Sequence, residues 1–217
     1  MKTRLNNKNL LLWAAILPFQ AGLVAMMSVL HFAFMSTNVA GHFPRVFREL
    51  LGQNVADGLG ILFNITLYFL GALFTAYWVT RFSHNRRLML MPYAMTLLIL
   101  IIVTTASISD AFKLNLLFFA MANQNTFGAF STEGVVKPSQ LTGLLIDFAM
   151  NIVKWLTDKS PNLLIVKAQF VLILSFSAGL IVVILVDNGA AFSPFILAII
   201  MQLVIMYLYF FTKDDIE

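Results

Sequence analysis

The 217-residue chain is 60% hydrophobic and 11% charged, with 14 Lys and Arg against 10 Asp and Glu for a formal net charge of +4. That balance excludes an ordinary soluble domain and makes a bilayer the natural solvent. The absence of cysteine excludes disulfides and thiolate metal sites, and the modest positive charge implies topogenic Lys and Arg, with no nucleic-acid partner.

A helix crossing a hydrocarbon core of about 30 Å needs roughly 20 apolar residues, so the chain has room for about six spans and no sizeable soluble domain. The expectation is an all-α, polytopic membrane protein forming one domain over 1–217. Apolar runs this continuous do not suit an outer-membrane barrel, whose strands alternate apolar and polar residues.

In chain order, the start MKTRLNNKN followed by LLLWAAILPF looks like a signal peptide, but the apolar run continues through Phe34 without a small-x-small cleavage site. An uncleaved first span over 10–35 is expected. It stops in MSTNVAGHF, after which 36–51 carries a weak amphipathic stripe of Phe43, Val46, Phe47 and Leu50. Spans over 60–80 and 88–108 flank the basic loop RFSHNRR. A fourth span over 114–136 contains Asn123, Gln124 and Asn125 and ends near Ser131, Thr132 and Glu133. Hydrocarbon tolerates such polarity only where it faces protein or a water-filled cavity. Residues 141–156 repeat apolar positions at helical spacing, with Asp147, Asn151 and Lys154 among them, and read as an amphipathic helix that is interfacial or re-entrant. Spans over 163–186 and 191–212 complete the chain. With the N-terminus inside, Lys2, Arg4, Lys8, Arg81, Arg86, Arg87, Lys137, Lys154, Lys159, Lys167 and Lys213 are cytoplasmic, and only Arg45, Arg48 and Lys113 are outside. Both termini are then cytoplasmic.

An internal repeat runs through this order. One constant offset sets Gly22 against Gly128 and Ser36 against Thr142, and Tyr68-x-x-Gly71 matches Phe176-x-x-Gly179 with an offset two residues larger. Halves of about 10–108 and 114–212, each with three spans, would enter the membrane in opposite senses. This is the inverted-repeat plan of many transporters, and it places the two polar motifs towards opposite faces.

Several of these residues form a recognisable set: Gly22; Met35-Ser36-Thr37-Asn38; Tyr68 and Gly71; Gln124-Asn125; Ser139; Leu141-Thr142-Gly143 with Asp147; and Phe176 with Gly179. In these motifs, over most of its length, the chain resembles the YoaK-type family of small bacterial membrane proteins, a domain of unknown function. The resemblance implies a multi-pass protein of the bacterial inner membrane and brings no established activity. Relatives carry an Asp shortly after the early Gly where this chain has Ala25, so any proton or cation role of that Asp would be lost or moved here.

The two Ser/Thr/Asn motifs have two readings. They are favoured N-caps, accepting bonds from unpaired backbone N–H groups; alternatively, uncapped N–H groups with the helix dipole hold an anion or carboxylate. Asn123, Gln124 and Asn125 are either packing amides or cavity lining, and three in succession cannot share one helix face. His31 is a proton relay or a hydrogen-bonded structural His, and Asp147 is the best remaining carboxylate or part of a solvated face. Trp13, Trp78 and Trp155 fall near segment ends, as interfacial belts do. No metal site, cofactor motif, nucleophile elbow or phosphate loop is present in the sequence, and no enzyme is expected.

The preferred expectation is a small secondary transporter or permease of an unidentified solute, its site formed by Gln20, Ser36, Asn38, Asn123, Gln124, Asn125 and Thr142, with His31 and Asp147 as proton or ion relays. The alternative is a non-transporting partner or assembly subunit of a larger membrane complex. Expected partners are the lipid bilayer and either a second copy or a membrane-complex subunit.

Overall fold

In a hydrocarbon solvent a helix satisfies its own backbone hydrogen bonds, and the described chain is built of helices and short turns. The computed structural model describes residues 7–52, 54–157, 163–189 and 193–212, with no strand among them. The α-helices are α1 (Asn7–Phe32), α2 (Phe43–Leu51), α3 (Val55–Phe82), α4 (Arg86–Met89), α5 (Met91–Thr105), α6 (Asp110–Ser131), α7 (Leu141–Leu156), α8 (Leu163–Gly189) and α9 (Phe195–Thr212). Four stretches are long and apolar enough to cross a membrane by length and composition: 9–32, 55–82, 87–105 and 163–188. Six spans are expected from the sequence, and four of the described helices reach this measure. The apolar stretch of α9 is shorter, and the amides of α6 dilute its apolar character. Of the basic residues used for orientation, Lys2, Arg4, Lys159 and Lys213 lie outside the described residues.

Two chain reversals depart from the expected span ends. The first helix stops at Phe32, short of Met35, because Ala33 takes a left-handed φ of +55° and turns the chain back. Ser36 then lies beside the helix it has just left, its Oγ 2.9 Å from that of Ser28. Similarly, α6 stops at Ser131, and left-handed Glu133 (φ +53°) and Gly134 (φ +84°) reverse the backbone, with Gly134 N–H donating to Ala129 O at 2.7 Å. Such left-handed residues are a common way to end a helix. In place of one amphipathic helix over 36–51 there is an irregular turn, a 3-10 turn at Ala40–His42 and then α2. The second amphipathic segment forms α7 with the expected bounds.

Packing centres on α1. It lies against α8 most extensively and also against α9 and α6; α3 packs on α6 and α2, α5 on α6 and α9, and α7 on α8. Gly128 meets Leu17, while Leu117 and Met121 share a buried cluster with Leu23 and Met27, so α1 and α6 run antiparallel. The α1–α8 crossing depends on Gly22 and Gly179: a Cβ on Gly22 would collide with Phe176 O, and one on Gly179 with Phe19 O. At the α3–α6 crossing a Cβ on Gly71 would lie 2.5 Å from Phe119 O. Small residues of this kind let helix backbones approach closely in membranes, where van der Waals contact takes over from the hydrophobic effect.

The tryptophans divide by role. Trp13 is 3% exposed and packs edge-on to Tyr209, ring centroids 6.3 Å apart, so it is core and not an interfacial anchor. Trp78 donates its indole N–H to Leu88 O at 2.7 Å, tying α3 to the end of the basic loop. Trp155 is exposed.

Replacing Gly179 by Ala should destabilise the protein by about 1–3 kcal/mol through overpacking. Gly60→Ala, where nothing lies within 4 Å of the added atom, should be neutral or slightly stabilising. Unfolding in mixed detergent micelles, monitored by circular dichroism, reads both.

Candidate functional site

Polar side chains inside an apolar bundle must find partners or remain at a cost. Here they gather into two networks. Asn123, Gln124 and Asn125 leave a continuous α6 in three directions: to α3, to α1, and to the reversed chain beyond α6. Asn123 Oδ1 accepts from Thr75 Oγ1 at 2.8 Å.

Gln124 starts the first network, donating from Nε2 to Leu17 O at 3.1 Å and to Gln20 Oε1 at 2.9 Å. Gln20 in turn donates to Gln202 Oε1 at 2.6 Å and to Ala198 O at 3.3 Å. Gln202 ends the series by donating to Tyr93 O at 2.9 Å. Three glutamines thus connect α1, α5, α6 and α9, all at most 1% exposed. Gln20 and Gln124, expected to line a solute site, here hold helices together.

Asn125 anchors the second network. Its Nδ2 donates to Tyr68 Oη and to Ser139 Oγ, each at 2.6 Å, and its Oδ1 accepts from Ser139 N–H at 3.2 Å. Ser139 Oγ then donates to Thr37 O at 3.0 Å. This last bond joins the two reversed segments, one following α1 and the other following α6. The two segments leave opposite ends of the antiparallel α1 and α6 and meet through this bond.

Where they meet they border an open cavity of about 350 Å³, with Asn38, Gln140 and Thr142 exposed at it. It is lined by Met35, Thr37, Asn38, Val39 and Ala40 of the first segment, by Ser139 to Gly143 of the second, and by Tyr68 and Phe176. None of these residues carries a formal charge. Asn38 and Thr142, both expected, do line the cavity. Asn125 supports it through Ser139 and Tyr68, Ser36 is buried beside Ser28, and Asn123 lies on the α3 contact. Ala25 is fully buried in a cluster with Ala21 and Phe176, immediately behind the cavity wall.

Helix capping follows neither motif closely. Gln140 occupies the N-cap of α7 without a side-chain cap bond, and the first backbone bond there is Leu144 N–H to Gln140 O. The Ser36 and Ser139 hydroxyls, read from sequence as caps, make tertiary bonds. Only Asn38 caps locally, accepting from Gly41 N–H at 3.4 Å. His42, at 8% exposed, bonds through Nε2 to Met35 O at 3.0 Å and packs with its ring tilted against Phe118, helping to fix the first reversal.

The expected relay residues are apart from this site. His31 lines a cavity of about 240 Å³ with Asp110, Lys113 and Ser193. Asp147 lines another of about 260 Å³ with Glu133, Asn151, Lys154 and Gln169. The structure does not bring the two together.

Residues 13–208 match the model of the family described as Protein of unknown function (DUF1275). The chain belongs to this family. The match covers both reversed segments and all three cavities, and it is consistent with the YoaK-type resemblance of the motifs. No curated protein and no solved structure matches the chain. Within the family region, sequence reasoning missed Thr37, Tyr68 and Ser139 as site residues although all three belong to quoted motifs. It also missed Gln202, a lone amide in the apolar run IIMQLVIM, whose isolation was the available signal.

Gln20→Leu should cost about 1–2 kcal/mol, since it strips partners from both Gln124 and Gln202. Replacing all three glutamines by Leu should recover much of that loss by removing the stranded groups. Thermal unfolding of the purified variants in detergent gives the comparison.

Proposed function

We propose that this protein is a small secondary transporter or permease of the bacterial inner membrane, with both termini cytoplasmic and its solute site at the 350 Å³ cavity. The observation that carries this reading is the meeting of two interrupted chain segments around one uncharged, partly polar cavity. Non-helical backbone at membrane depth is tolerated where it is buried or lines a water-filled space, and transporters use such breaks to hold solute.

An inverted repeat of two three-span halves is part of the proposal. Among these eight helices, exchanging α1 with α6, α2 with α7, α3 with α8 and α5 with α9 leaves the set of packing partners unchanged: α1–α8 becomes α6–α3, α1–α9 becomes α6–α5, and α2–α3 becomes α7–α8. The antiparallel course of α1 and α6 fits opposite insertion. Gly179 faces Phe19 O and Gly22 as Gly71 faces Phe119 O and Ala122, which equates Gly22 with Ala122 in place of Gly128. Gly128 instead meets Pro138 and Leu17. Tyr68 and Phe176, paired by the motif match, stand on the cavity together, as a site between repeats requires. An axis relating the halves would then pass close to the cavity.

The absence of cysteine provides a clean labelling background. Thr142→Cys, reconstituted in vesicles, should react with a membrane-impermeant thiol reagent whether that reagent is added in right-side-out or inverted orientation, as alternating access requires. Reaction from a single side, or none from either, counts against transport.

A further inference from the structure

We propose that a second copy of this chain covers the open side of the cavity between the reversed segments, forming a symmetric dimer with Asn38, Gln140 and Gly143 at the contact. The inference does not depend on transport. It identifies what stands where the cleft would otherwise meet lipid.

Depth and direction come first. Tyr68 and Phe176, which line the cavity, stand at the middle of the 28-residue α3 and of the 27-residue α8. Both helices are long and apolar enough to cross a bilayer, so the cavity lies near the midplane. From it α2 runs beside the first turn of α3, where Leu50 meets Gly58, and α7 runs beside the first two turns of α8, where Asn151 donates to Gln169 Oε1 at 3.0 Å. Leu172 shares a buried cluster with Trp13, and Val183 one with Met27, so α8 runs parallel to α1. Phe63 lies with Phe112 and Thr75 with Asn123, so α3 runs with α6 and against α1. Thus α2 and α7 leave towards opposite ends of the bundle and cover the cavity along the membrane normal, and its open side faces sideways.

Lipid is a poor neighbour for that side. Asn38, Gln140, Thr142 and Gly143 are exposed there, and the Gln140 and Thr142 side chains make no hydrogen bond to a described residue. Hydrocarbon offers such groups nothing to bond, and non-helical backbone does not face lipid at this depth. An identical surface suits them, because a two-fold contact sets a patch against itself. No residue lining the cavity carries a formal charge, so two copies meet without repulsion. The carboxamides of Asn38 and Gln140 both donate and accept, so they pair with their own kind. An added Cβ on Gly143 would meet nothing within 4 Å, which leaves room for the close backbone approach that small residues give in membranes. One turn beyond Thr142 on the same side of α7, Leu145 and Ile146 are exposed and extend the patch with apolar contact.

The test uses the full chain, first in its native membrane. Asn38→Cys and Gln140→Cys, each treated with a short bismaleimide, should give a covalent product of twice the chain mass. Ile200→Cys, exposed on α9, which contributes nothing to the cavity, should give none. In detergent at alkaline pH, Gln140→Glu should raise the dimer dissociation constant about ten-fold or more, because a two-fold contact sets its carboxylates against each other. A carboxylate at the start of α7 suits the helix dipole, so helical content by circular dichroism should be unchanged, which separates loss of the contact from loss of the fold. No product from Asn38→Cys and Gln140→Cys, or as much from Ile200→Cys, would overturn the proposal, as would an unchanged dissociation constant in Gln140→Glu. A product whose mass identifies a different membrane protein would overturn the second copy and assign the surface to another subunit. Solute passage is read separately, by labelling at Thr142→Cys.

Discussion

The Asn125 carboxamide, buried at 7% exposure, bonds Ser139 through both its oxygen and its nitrogen and reaches Tyr68 with the same amino group. Two reciprocal bonds to one residue fix position and orientation together, and in a low-dielectric interior each is stronger than it would be in water. Ser139 is thereby held beside α6 after the chain has reversed at Glu133 and Gly134. From there its hydroxyl reaches Thr37 O and secures the other reversal. Without Asn125, Ser139 would lose the bonds that hold it beside α6, and the link between the two segments would loosen. The cavity, the uncapped start of α7 and the unpaired Thr37 hydroxyl all follow from that placement.

Close helix crossings supply the frame. At Gly22–Gly179 the α1 and α8 backbones approach as only glycine permits, and Gly71 allows α3 nearly the same approach to α6. The glutamine series Gln124–Gln20–Gln202 ties α6, α1 and α9 at their buried faces. Polar groups therefore divide the work: glutamines join helices into a bundle, while Asn125 and Ser139 hold irregular backbone within it. That division gives the amides of so apolar a chain partners at these places, although Asn123 Nδ2 and Gln124 Oε1 have none among the described residues.

Local features were the most legible in the sequence. Residues 141–156 were bounded correctly because their helical periodicity is interrupted by polar residues at both ends, and the all-helical class followed from composition. Successive amides at 123–125 had to point three ways, and they do. Partners were much less legible: Gly22 resembles Gly128 in its surroundings along the chain, yet its spatial partner is Gly179, since a glycine does not encode the helix that will approach it. Gln20 and Gln124 looked like cavity residues because an amide in a span is equally suited to a solute or to another amide. Only the presence of Gln202 on a neighbouring helix decides which. The first reversal was hidden by Ala33, an alanine in a left-handed conformation that sequence rules reserve for glycine or asparagine.

The central claim is that Asn125 and Ser139 act as one unit in holding the reversed segments together. A double-mutant cycle on Asn125→Leu and Ser139→Ala, measured by reversible unfolding in mixed micelles, tests it most directly. A coupling energy of about 1 kcal/mol or more is expected for side chains sharing reciprocal buried bonds. Additivity of the two single variants within about 0.3–0.5 kcal/mol, the behaviour of independent sites, would contradict the account.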